Sequence, residues 1–188
     1  MKLNKHLFLS LCLMVIIASV YRVLPNRPFG FAPQIAMALF GGAFFVQNKK
    51  WAFSLPLISM FISDLLYQVL YHYGYTEISG FYSGQWVNYL LIGSLTIFGF
   101  LISDGKIIKV ILATIAAPTT YFLLSNGLVW LGNGGYQRPK TFVGLIQCLV
   151  DGLPFYQNSL MGTVVFGAIL FGGYALLKKG TADQKLVA

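Results

Sequence analysis

Long apolar runs are the feature of this 188-residue chain that most constrains its fold. A segment needs roughly 20 mainly apolar residues to cross a hydrocarbon core of about 30 Å as a helix. Helix is the expected state, because the backbone groups of a lipid-exposed segment must be paired within it. The runs are too continuous for the alternating strands of a membrane β-barrel. We therefore predict six transmembrane helices, at 7–24, 31–47, 51–73, 86–103, 107–131 and 158–177.

The basic residues predict how these helices are oriented. Four of them, Arg22, Arg27, Arg138 and Lys140, flank one side of the predicted bundle. The other nine are lysines that flank the opposite side, which the positive-inside rule places in the cytoplasm. They are Lys2, Lys5, Lys49, Lys50, Lys106, Lys109, Lys178, Lys179 and Lys185. The net charge of +8 thus indicates topology, and no soluble domain is left to carry a nucleic-acid surface.

The predicted fold is an all-α, polytopic bundle, a single transmembrane domain over 1–188 with both termini cytoplasmic, in a bacterial inner membrane. The first run also has the charged start and apolar core of a signal peptide. Ala18-Ser19-Val20 is a poor cleavage site, so we expect the first helix to be retained. The longest external connection is 132–157, and its apolar part, about 141–152, predicts a helix that lies at the external surface or re-enters the membrane.

Polar side chains within the predicted spans concentrate in the outer half of the bundle. Asp64 lies about 20 Å from the cytoplasmic end of its helix, and Gln68 lies one turn further out on the same face. A carboxylate at this depth costs roughly 2.5–3.5 kcal/mol, so it is expected to face a polar interior or a wet cavity. We predict an external-side pocket whose solute contacts are Gln34, Asp64, Gln68, Asn88, Asn126 and Asn158, with Trp86 and Trp130 as apolar walls.

All of these residues except Gln68 also have a plain structural interpretation. Asp64, Gln34, Asn88 and Asn126 could hydrogen-bond neighbouring helices. Asn158 precedes a predicted helix and could cap it. The tryptophans could belong to an interfacial aromatic belt.

Catalytic chemistry has little support in the sequence. There is no nucleophile-elbow, zinc-protease or phosphate-loop motif, so we predict that the chain is not an enzyme and takes no cofactor. Cys12 and Cys148 have no His or Cys neighbours at ligand spacing, which predicts no metal site and no disulfide.

Two blocks of sequence carry a family resemblance. FGFAPQIAMALFGGAFF at 29–45 continues into KKWAFSLPLISMFISDLLYQVLY, and FLLSNGLVWL at 122–131 is followed by KTFVGLIQCLVDGLPFYQNSLMG at 140–162. They resemble an uncharacterised family of bacterial integral membrane proteins described as transport proteins. Its recurring positions correspond here to Asn126, Leu153-Pro154-Phe155 and Asn158. The chain departs from that pattern at Gly127, where an aromatic is expected, and at Thr163, where an acid is expected.

That family in turn resembles the substrate-binding S-components of energy-coupling factor (ECF) transporters. The resemblance implies a six-helix bundle that binds a vitamin-like solute in a loop-capped external pocket. It also implies partners, namely a transmembrane coupling subunit and ABC-type ATPases, although the Ala-x-x-x-Ala docking motif of many S-components is not evident in the first span. The alternative function is a non-catalytic structural or accessory subunit of a membrane complex.

Overall fold

The computed structural model describes residues 5–102, 104 and 106–176, and all regular structure in these ranges is helical. The predicted cytoplasmic termini and the last residue of the sixth predicted span lie outside them. The helices are α1 (Lys5–Arg22), α2 (Gln34–Phe44), α3 (Lys49–His72), α4 (Gln85–Ser94), α5 (Thr96–Leu101), α6 (Ile107–Leu131) and α7 (Phe142–Gly167). The α7 helix continues through a π-helical segment, Ala168–Gly172, and its described part reaches Leu176. The all-α prediction is confirmed for the described chain.

Within the described ranges, three helices are long and apolar enough to cross a membrane: Lys49–His72, Ile107–Leu131 and the continuous Phe142–Leu176. Three further apolar stretches, Leu11–Arg22, Gln34–Phe44 and Gln85–Leu101, are helical but shorter. The structure therefore supports membrane association through three candidate spans. The count of six full spans stays a prediction.

The second predicted span is a buried central helix rather than a lipid-facing one. α2 has only 11 residues, which at about 1.5 Å per residue is too short to cross a bilayer core unaided. Met37 and Leu39 have no exposed surface, because α3, α5 and α7 pack around α2. A helix that is enclosed by protein does not need the length that lipid demands, which explains why the prediction of 31–47 is too long.

A close helix crossing fixes α2 against α5. A Cβ atom added to Gly42 would lie 2.8 Å from the Cα of Gly99, and one added to Gly99 would lie 2.7 Å from the Cα of Gly42. Only glycine permits backbones to approach this closely. The fourth predicted span, 86–103, is divided into α4 and α5 at the buried residue Leu95, just before this crossing.

The separate surface helix and sixth span that the sequence predicts form one helix of 35 residues. Thr141 caps its start by accepting a hydrogen bond from the Gly144 amide at 3.1 Å. Pro154 lies inside the helix, where it removes one main-chain hydrogen bond. The prediction of two elements is wrong, because Leu153-Pro154-Phe155 is a turn signal in water but a tolerated interruption in a helix that neighbouring helices support.

Candidate functional site

A cavity of about 180 Å³ lies where α1 ends and where α2 and α4 begin, on the side that the charge pattern predicts to be external. Its apolar wall consists of Gly30, Ala32, Ile35, Met60 and Ile92. Its polar wall consists of Arg22, Arg27, Gln34, Asn88, Tyr121 and Ser159. Two of the predicted solute contacts, Gln34 and Asn88, therefore meet in one cavity.

Gln34 is the first residue of α2 and only 4% of it is exposed. Its Nε2 donates to the Ser59 hydroxyl at 3.3 Å, while its Oε1 is buried and has no hydrogen-bond partner among the described residues. A buried unpaired acceptor costs about 1–3 kcal/mol. A ligand donor that reached Oε1 would recover that free energy.

Asn88 and Tyr121 form a polar wall between α4 and α6. The Tyr121 hydroxyl donates to Asn88 Oδ1 at 3.2 Å, and Asn88 Nδ2 donates to the Tyr82 hydroxyl. These contacts use both ends of the amide and fix its orientation. The wall therefore presents a preset arrangement of polar atoms to anything that occupies the cavity.

Arg27, in the 23–33 connection, forms part of the cavity wall. Its guanidinium donates to three main-chain carbonyl oxygens, those of Arg22 at 3.1 Å, Pro28 at 3.2 Å and Phe31 at 2.6 Å. None of these acceptors carries a full negative charge. The cation is held in place without being neutralised by them.

Asp64 lies beside the cavity but does not line it, and only 2% of it is exposed. Arg22 Nη1 donates to one carboxylate oxygen. Gln85 Nε2 and the Tyr89 hydroxyl each donate to the other oxygen at 2.5 Å. The carboxylate thereby ties α1, α3 and α4 together, which is the interhelical role that the sequence analysis held as the alternative to solute contact.

Gln68, Trp86 and Asn126 lie away from the cavity. Gln68 Oε1 accepts hydrogen bonds from Ser79 and from the Phe81 amide, each at 3.2 Å, and so anchors the connection after α3. The Asn126 amide donates to a main-chain carbonyl one turn earlier in α6, at 2.9 Å. Trp86 is 66% exposed. None of these three side chains lines the cavity.

Trp130 and Asn158 also have structural partners instead of a place in the cavity wall. Trp130 Nε1 donates to the Pro139 carbonyl at 2.8 Å, and Lys140 stacks on its ring with Nζ at 5.1 Å from the centroid. Asn158 donates to the Phe29 carbonyl at 2.9 Å. The capping interpretation of Asn158 is wrong, because the residue lies in the middle of α7.

Sequence reasoning missed the two arginines of the cavity, together with Tyr121 and Ser159. It counted Arg22 and Arg27 only as topology signals. Both arginines lie on the side where the positive-inside rule expects few basic residues. That departure was the available signal that they serve another purpose.

The described residues contain no group of three or more His, Cys, Asp or Glu side chains that could hold a metal ion. Cys12 and Cys148 are free thiols.

The chain belongs to DUF6580, a family of unknown function, whose sequence profile matches residues 2–185. No curated protein matches the chain, and no solved structure does. The resemblance to S-components of ECF transporters therefore stays a prediction.

Proposed function

We propose that this chain is a bacterial inner-membrane transport protein that binds a small solute from the external side. The observation that carries the proposal is the polar cavity, whose wall includes Gln34, a residue whose buried amide oxygen has no hydrogen-bond partner among the described residues. A cavity lined by apolar side chains with a few fixed polar groups is typical of a small-molecule site.

The surroundings of the cavity support binding rather than catalysis. The polar groups in its wall are amides, hydroxyls and guanidinium groups, which hold a ligand but do not form a nucleophile and base pair. Three residues of the 23–33 connection, Arg27, Gly30 and Ala32, form part of the cavity wall. This arrangement fits the substrate-binding component of an ECF-type transporter, which would work with a transmembrane coupling subunit and ABC-type ATPases.

A second function, that of a structural or accessory subunit, is favoured by a separate observation. A cleft of about 810 Å³ opens between α6 and the last turns of the α7 helix, at the end of the bundle opposite the cavity. Its walls are mainly apolar and include Phe40, Phe44, Ile107 and Phe171. A cleft of this kind suits the transmembrane helix of a partner, whether that partner is a coupling subunit or a fixed neighbour in a complex.

Native mass spectrometry of the protein, purified gently from its own membranes, tests the proposal. We expect a reproducible small-molecule adduct. It should be lost in Asn88→Leu, because Asn88 forms part of the cavity wall. The adduct should persist in Asn126→Leu, a matched amide substitution away from the cavity that serves as the control.

Two results would contradict solute binding. One is a monomer without any adduct. The other is a chain that carries only lipid and a fixed protein partner, which would favour the structural subunit instead.

A further inference from the structure

The cavity wall carries a positive charge that no described carboxylate neutralises. Arg22 is paired with Asp64, and the other acidic residues in described ion pairs, Asp104 and Asp151, have their own basic partners. Arg27 forms no ion pair with a described residue. The field inside the cavity is therefore that of one uncompensated cation.

The geometry of Arg27 suits an anion. Its Nε and Nη1 are occupied by main-chain carbonyls, while Nη2 has no hydrogen-bond partner among the described residues. The carbonyls fix the plane of the guanidinium before any ligand arrives, which reduces the entropy lost on binding. A carboxylate that binds this group gains a charge-assisted hydrogen bond.

A second part of the wall requires a hydrogen-bond donor. Gln34 Oε1 is a buried acceptor to which no described residue donates. No described side chain of the wall donates to it: the Ser159 hydroxyl donates to the Gly30 carbonyl at 3.1 Å, and the Asn88 amide donates to Tyr82. A neutral amide oxygen is satisfied by a hydroxyl, without the carboxylate that an ammonium group would need.

The volume and the apolar wall limit the rest of the ligand. An apolar cavity of about 150 Å³ holds benzene, so about 180 Å³ accommodates roughly six to nine non-hydrogen atoms. Ile35, Met60 and Ile92 provide contact for a short aliphatic portion. Most drug-sized ligands occupy pockets of about 300–1,000 Å³, which is larger than this cavity.

Building on the proposed function, we infer that the solute is a small hydroxycarboxylate anion. Its carboxylate binds Arg27 and its hydroxyl donates to Gln34 Oε1. This ligand is smaller than the vitamin-like solute that the resemblance to S-components implies. It is also an anion, which Asp64 would repel if it were a direct solute contact.

Isothermal titration of the full chain in lipid nanodiscs tests the inference with three probes, lactate, 2-hydroxybutyrate and 2-hydroxyisovalerate. Each is compared with its uncharged amide and with the acid that lacks the hydroxyl. We expect at least one hydroxy acid to bind tenfold or more tightly than both of its analogues. The acid-to-amide comparison reports the Arg27 contact, and the comparison with the deoxy acid reports the Gln34 contact.

Variants assign the two preferences to their residues. Arg27→Gln should remove the preference for acid over amide, and Arg27→Lys should keep part of it. Gln34→Met should remove the preference for the hydroxyl while the preference for the acid remains. Arg138→Gln is the control, because that external arginine is paired with Asp151 at 2.8 Å and lies away from the cavity.

The failures of the two proposals are distinguishable. Equal binding of acids and amides would overturn the hydroxycarboxylate assignment, and so would equal binding of inorganic phosphate. The same holds if no probe binds while native mass spectrometry still shows an adduct that Asn88→Leu removes. The absence of both the adduct and any probe binding would instead overturn the proposed function itself.

Discussion

Removal of the buried carboxylate of Asp64 should destabilise the bundle. The substitution Asp64→Leu leaves Arg22 without its counter-charge and leaves the Gln85 and Tyr89 donors without an acceptor. Breaking a buried ion pair by removing one partner costs about 3–5 kcal/mol. The Arg22 side chain is 24% exposed and can reach toward water, so we expect the lower end of that range.

A double-mutant cycle isolates the ion pair from the other contacts. Arg22→Met and Asp64→Leu should each destabilise the protein, and the combined variant should lose less than the sum of the two. The reason is that the second substitution removes the charge that the first one left unpaired. We expect a coupling free energy of about 2–3 kcal/mol, at the upper end for residues in contact.

Unfolding free energies measured by SDS titration in mixed micelles provide the assay. Asp104→Leu is the matched control, because that carboxylate pairs with Lys109 at 2.6 Å in an exposed position. Exposed ion pairs contribute little to stability, so this variant should unfold like the parent. Losses in the Arg22 and Asp64 variants that are simply additive would refute the reasoning. An Asp64→Leu variant of unchanged stability would refute it as well.

Three further substitutions test other parts of the structure. Gln34→Met removes the unpaired acceptor, worth about 1–3 kcal/mol, together with the hydrogen bond to Ser59, worth about 0.5–1.5 kcal/mol, so the melting temperature of the ligand-free protein should rise slightly, and a clear fall would contradict this. Gly99→Val should cost at least about 1–3 kcal/mol through its clash with Gly42, whereas Gly127→Ala has open space and should be neutral or stabilising by thermal melting. Thr141→Ala should remove about 1 kcal/mol of capping and speed amide hydrogen exchange in the first turn of α7; unchanged exchange there would argue against the cap.

The helices best predicted from the sequence are those whose length the membrane dictates. Residues 51–73 and 107–131 were predicted, and the structure has Lys49–His72 and Ile107–Leu131. Helix length in lipid follows from an apolar run and its charged flanks, both of which are local features of a sequence. The length of α2 depends on the other helices that pack around it. An apolar run in the sequence does not reveal that packing.

The candidate site was predicted only in part. Gln34 and Asn88 were predicted because an amide side chain within an apolar segment must find a polar partner. Arg27 was not predicted, because it lies in a connection between helices, where charged residues are common. Its place in the cavity wall becomes visible only when the fold brings that connection against α2 and α7.

The arrangement of charges reverses the expectation that the sequence set for Asp64. If Asp64 were a solute contact, the Asp64→Asn variant would bind the solute more weakly than the parent. As the partner of Arg22, it cancels the charge of a residue that lines the cavity. Asp64→Asn then leaves two cations beside the cavity in place of one, and attraction between opposite charges is strong in a poorly solvated site. Variant protein that stays folded should therefore bind a hydroxycarboxylate more tightly than the parent does, and weaker binding by a folded Asp64→Asn variant would return Asp64 to the list of solute contacts.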